Sequence, residues 1–256
     1  MRIALLLTAL LCLPLLWHTP TAQAELGSRP PVREWFADDD GCDGRPPFRA
    51  DDRTIEIVWA LGEEAMLAAE QRAVALDADA CSYWQEGSPF DGADEMNEGN
   101  VPGPVLADLE IEVHVSEDPE PRELQVTVGI TPLENLSDSI GLRLLITVDH
   151  VQIGETTSHS VVRHYQWSSA FHHQANITTE WNETIDASRL ASDEVPFTHS
   201  DLWRLNVVVL LVDDLDHSIH AAAESPVETP SSVLPTPDAA HLYLLGLGIL
   251  AGLGMI

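Results

Sequence analysis

Residues 201–225, DLWRLNVVVLLVDDLDHSIHAAAES, limit the possible folds more than any other stretch. From Leu202 to Val212 the run is apolar and β-branched, broken only by Arg204 and Asn206, which is how a strand buried in a sandwich core reads. Asp213, Asp214 and Asp216 then supply turn chemistry, because short acidic side chains bond their own backbone, and residues 217–223 return as a partner strand. The expectation is an antiparallel hairpin whose apolar face needs a second sheet to cover it.

The chain upstream repeats this logic. In 107–116, Leu109, Ile111, Val113 and Val115 point one way while Asp108, Glu110, Glu112 and His114 point the other, a half-exposed strand of period two. Leu124, Val126, Val128 and Ile130 repeat the pattern beyond Pro119 and Pro121, and the two strands are expected to pair. A more buried strand follows at 140–153 around Leu142, Leu144, Ile146 and Val148, then one at 155–167 and a weaker one at 171–185 with Ile177, Trp181 and Ile185. Seven strands without intervening helices predict a mainly β fold, a seven-strand antiparallel Ig-like sandwich over 104–226.

A small α/β fragment is expected ahead of it, over 25–103. Pro30-Pro31 and Pro46-Pro47 make 26–53 read as an irregular arm. TIEIVWAL at 54–61 alternates like a strand, and 63–77 reads as a helix with Met66, Ala69, Ala73 and Leu76 on one face. Glu63 and Glu64 are adjacent carboxylates that do not face each other on a helix and suit its positive N-terminal end. Residues 83–103 read as loop, with a tight turn at 87–90.

The termini give an address. Residues 1–24 have the form of a secretory signal: Arg2, an apolar stretch over 3–17, and Ala22-Gln23-Ala24 as the cleavage site. Cys12 would leave with it, so Cys42 and Cys81 remain as a candidate disulfide suited to an oxidising compartment. Residues 227–240 form a Pro-rich spacer. Residues 241–256 form an uncharged, glycine-containing tail, short against the roughly 20 residues of a membrane span. It reads as an anchor or sorting segment, which makes the membrane a partner and the location extracytoplasmic. All 12 basic residues are Arg, against 42 acidic ones, for a net charge of −30. Such a surface repels nucleic acid, which excludes it as a partner and leaves an envelope or protein partner.

Sites are sparse. His150, His159, His164, His172 and His173 lie in one stretch with Asp149, and His150 and His164 are candidate metal ligands because imidazole suits zinc or copper. Asp213, Asp214 and Asp216 offer oxygens for Ca²⁺ but lack the glycine and terminal glutamate of an EF-hand, so a plain acidic hairpin turn is the favoured reading and no cofactor is expected. Ser158-His159-Ser160 sets hydroxyls beside an imidazole without a nucleophile-elbow motif, so no catalytic residue is assigned. Asn135, Asn176 and Asn182 head N-glycosylation sequons. Trp167, Trp181 and Trp203 are expected to fill the core.

Three segments, LLITVDHV at 144–151, HSVVRH at 159–164 and LNVVVLLVDDLDHSIHAAA at 205–223, give residues 144–226 a resemblance. They resemble the C-terminal β-sandwich of the Omp28-related, thioredoxin-like exported proteins. The resemblance implies a sandwich fold and a cell-envelope address. It also implies that 54–92 is the remnant of a thioredoxin-like module, with SPFDG at 88–92 similar to that module's proline-containing turn; its redox cysteine motif is absent. The expected function is a non-enzymatic, tethered surface protein for recognition or envelope structure. A redox protein using Cys42 and Cys81, and a divalent-cation-binding surface domain, are the alternatives.

Overall fold

The computed structural model describes residues 29–38, 42, 54–62, 66–90, 103–116, 123–153, 156–190 and 199–227. The stretches expected to be a signal (1–24), a spacer (all but Val227) and an anchoring tail (241–256), together with Glu63 and Glu64, lie outside the described residues.

In chain order the elements are β1 (Val32–Ala37), β2 (Ile55–Ala60), helix α1 (Leu67–Leu76), β3 (Ser82–Gln85), β4 (Ser88–Pro89), β5 (Ala107–Val115), β6 (Glu123–Pro132), β7 (Ile140–Val148), β8 (Val151–Ile153), β9 (Thr156–Ser158), β10 (Val161–Ser168), β11 (Thr179–Asp186), β12 (Leu205–Asp213) and β13 (Ile219–Pro226). The protein is mainly β, as the alternation predicts. Each of the seven expected strands is present, but the third and fourth are cut in two. His150 and Ser160 stand in the left-handed region, φ 59° and 54°, and each breaks its strand. The hairpin of 201–225 forms as β12 and β13, starting at Leu205 because His199–Arg204 is a 3₁₀-helix.

Two expectations fail in the N-terminal region. The presumed irregular arm contains β1, which lies inside the sheet between β2 and β3. Its sequence, VREWFA, looks half polar, yet Glu34 is buried and matched by Arg72, so an ion pair disguised a core strand. The presumed loop after Tyr83 contains β3 and β4, joined through Glu86 (φ 57°) and Gly87 (φ 78°), the two positive-φ residues of a tight hairpin turn. Helix α1 is shorter than expected and stops where Asp77 turns left-handed, φ 56°.

Eight strands form one sheet in the order β13-β12-β7-β10-β2-β1-β3-β4, so it runs through both sides of the boundary expected at 103. Within 104–226 every pairing is antiparallel, as expected; the sheet becomes mixed where the N-terminal strands join it, since β1 runs parallel to β2 and β2 meets β10 in parallel through the pair Val58 and Val161. A three-stranded antiparallel sheet, β11-β6-β5, faces it across an apolar cluster containing Val126, Val128, Leu142, Leu144, Ile146, Val207 and Val209. A second cluster joins the other face of β7 and β12 (Leu145, Val208, Leu210) to Phe36, Ile57 and Trp59 and to Ala69, Ala73 and Leu76 of α1. The large sheet curls round that second cluster until its extremes meet. Arg29 holds the Glu86 carboxylate with both terminal nitrogens and donates to the Ile219 carbonyl of β13 at 2.5 Å. A Cβ at Gly87 would collide with the His217 carbonyl.

Candidate binding cleft

Where α1 packs over the large sheet, it and the ends of β7 and β10 leave a cleft of about 210 Å³. Its polar lining is Gln71 and Arg72 from α1, Arg143 from β7, Tyr165 from β10 and Asp214 from the β12–β13 turn, with Trp167 of β10 as its aromatic wall.

Strand geometry explains this convergence. Trp167 stands opposite Arg143, and Tyr165 opposite Leu145, in the β7–β10 ladder. Arg163 is an extra residue in that ladder: Val162 pairs with Thr147 and His164 with Ile146. The bulge reverses the facing of the residues beyond it, so Tyr165 and Trp167 share the α1 side with Val162, while His164 turns away. Trp167 rests on Gly141, where an added Cβ would stand 2.8 Å from the indole Nε1.

The cleft floor is a buried ion pair. Arg72 donates to Glu34 from Nε at 2.9 Å and from Nη2 at 2.5 Å, and Trp59 Nε1 donates to the same carboxylate at 2.8 Å. Burial opposes the Glu34 charge, but the Arg72 guanidinium and the hydrogen bonds from Arg72 and Trp59 outweigh it and hold the carboxyl below its ordinary pKa. Arg143 Nη2 donates to Asp214 Oδ1 at 2.8 Å. Arg72 Nη1 and Arg143 Nε are buried and have no acceptor among the described residues. Burial raises the Tyr165 phenol, partly offset by the charges of Arg143 and Arg72.

Most residues singled out from the sequence lie elsewhere. Cys42 and Cys81 form a disulfide with Cα atoms 5.5 Å apart, tying the chain after β1 to the start of β3. Asp213 Oδ1 accepts from the Leu215 amide at 2.8 Å, and Asp216 Oδ1 from the Ser218 amide and hydroxyl at 2.9 and 2.6 Å. Asp214 turns to Arg143, so the three aspartates shape a turn and do not converge on a cation. Among the described residues no three His, Cys, Asp or Glu side chains are placed to hold a metal ion.

His150 meets the edge of His159 at 4.5 Å and tilts against Trp203 at 5.5 Å, and His159 Nδ1 lies 3.7 Å from Asp149. His164 does not join them. His172 is exposed, and His173 packs on Phe171. Ser158 is fully buried beside an exposed His159, so it presents no hydroxyl to a substrate. In the same region burial, then the Asp149 charge, pushes Glu224 up to about 7.

Asn135, Asn176 and Asn182 are all exposed; Asn135 and Asn182 accept from the Ala175 amide and the Thr127 hydroxyl. The tryptophan expectation is corrected. Trp167 is 47% exposed and Trp203 58%, while the core takes Trp35, Trp59 and Trp84. Trp181 is half buried.

Sequence reasoning missed every residue of the cleft except Asp214 and Trp167, and it gave those two other roles. One signal was present: Arg143 interrupts the otherwise apolar IGLRLLITV, which only a paired or functional charge does.

Fold and cleft together define a two-layer, mainly β domain with a small polar-aromatic cleft outside its sheets' shared core. No family model, no curated protein and no solved structure matches this chain.

Proposed function

We propose that this protein is an exported recognition domain of Ig-like layout, tethered at the cell surface by its C-terminal tail, which binds ligands in the α1–β10 cleft without covalent chemistry. The observation that carries this reading is the cleft's chemistry. It sets a half-exposed indole beside guanidinium groups already neutralised by carboxylates, a set of groups suited to contact and ill suited to attack. The secretory form of 1–24, the Pro-rich spacer and apolar tail, and the Cys42–Cys81 bond support the address. The likeness of 144–226 to Omp28-related sandwiches supports it as well. Cell fractionation with protease shaving tests the reading: the mature chain, beginning near Glu25, is expected in the envelope and cut by external protease. Recovery from the cytosol overturns it.

The redox reading keeps one observation in its favour, the half-exposed position of the disulfide. Thiol titration separates the two. A bond that resists a mild dithiol fits a staple, and easy reduction coupled to turnover of a substrate fits a redox protein.

A further inference from the structure

We propose that the cleft holds one neutral pyranose, the terminal hexose of a glycan, stacked on Trp167. The inference rests on the recognition reading and names its ligand class.

Three observations fix the chemistry. The first is the aromatic wall. Trp167 is 47% exposed although its other side is seated on Gly141, so a flat apolar surface is held in place and left open to the cleft. A sugar ring offers a matching face of C–H groups.

The second is the pairing of donor with acceptor. Arg143 and Asp214 lie side by side at 2.8 Å, the Asp214 side chain is 41% exposed, and the buried Arg143 Nε has no acceptor among the described residues. Adjacent ring hydroxyls donate and accept at once: one hydroxyl hydrogen suits Asp214, and a neighbouring oxygen suits an Arg143 N–H. Gln71 and the Tyr165 hydroxyl add groups of both kinds at the rim.

The third is charge. Arg72 is matched by Glu34 and Arg143 by Asp214, inside a chain of net charge −30. A carboxylate or phosphate finds no unmatched cation here and is repelled by the whole molecule. A cation finds no unmatched carboxylate. A neutral polyhydroxyl ring meets neither penalty, and a cleft of about 210 Å³ has room for one ring. Glu34 is buried behind Arg72, which leaves Asp214 as the one accessible carboxylate of the lining among the described residues. Glycoside hydrolysis ordinarily uses two, so the proposal is of binding without cleavage.

The test uses the mature chain and its variants, titrated with the methyl glycosides of glucose, galactose and mannose while binding is read from the sugar's own NMR resonances, with the Trp167 indole N–H followed as well in the parent. Saturable binding of at least one glycoside is expected, with Kd on the order of 1 mM and no change between about 0.05 and 0.5 M salt. Trp167→Ala and Asp214→Asn should each weaken it by about tenfold or more. The melt of Trp167→Ala should stay close to that of the parent; Asp214→Asn, which leaves the Arg143 charge unmatched, should melt lower and is titrated well below its own midpoint, which separates lost binding from lost folding. Failure of all three glycosides on folded protein overturns the proposal, as does equal binding by Trp167→Ala. So does binding of the free reducing sugar alone, or salt-sensitive binding of benzoate in place of the sugars. Failure of sugar binding in a protein that shaving places at the surface sinks the ligand class and leaves the recognition reading standing. Release of p-nitrophenol from a p-nitrophenyl hexoside at this cleft sinks the non-catalytic reading instead.

Discussion

Glu34 and Arg72 illustrate how a charged pair is kept inside a protein. Each guanidinium or carboxylate alone would be intolerable there, so the two must be removed together or not at all. Arg72→Ala is expected to lower unfolding free energy by about 3–5 kcal/mol in urea denaturation. The double change Glu34→Leu with Arg72→Met should cost much less. Glu224 is the opposite case, a carboxylate raised to about 7 by burial and by Asp149. Above that pH the folded state holds a buried charge that the unfolded chain holds in water. Stability therefore rises as pH falls from about 7 towards the ordinary 4.5, and the gain, roughly 3 kcal/mol, is complete below it. Glu224→Gln should remove this slope from melting curves recorded between about pH 8 and pH 5. Glu34, whose pKa is lowered, contributes in the other sense: its share is present above the ordinary carboxylate range and is lost in strong acid.

At the scale of elements, period-two alternation located β5 and β6, which bury one face in the shared core, and continuous apolar runs located β7 and β12, which bury both. Neither pattern marks β1, a strand buried on both faces whose run is interrupted by the paired Glu34. The cleft was illegible for a related reason. Tyr165 and Trp167 reach it through the Arg163 bulge, and an inserted residue shifts phase without leaving a mark in composition. Deleting Arg163 should put Val162, Tyr165 and Trp167 into one unbroken alternation with their present β7 partners, so both aromatic rings stay on the α1 face. Retained ligand binding is the expected readout, whereas inserting a second residue after Arg163 should turn both rings away and abolish it. Gly87→Ala should also destabilise, because φ is +78° and the new methyl group meets the His217 carbonyl. A drop of about 1–3 kcal/mol in equilibrium unfolding is expected.

For the molecule as a whole, the disulfide acts on the unfolded chain. It closes a loop spanning 39 residues that contains β2 and α1. Replacing both cysteines by serine should cost about 2–4 kcal/mol, read as a lower denaturation midpoint, without moving the cleft residues. Charge of −30 adds self-repulsion, so added salt should raise the melting temperature of parent and variant alike.

The latch of Arg29 on Glu86 and Ile219 joins the beginning of the fold to its last hairpin, 190 residues apart. What the ribosome makes early therefore cannot complete the ring until β13 has followed it out. A shortened product ending before that hairpin would still set β2 beside β10, but would leave Arg29 without the carbonyl that closes the curl.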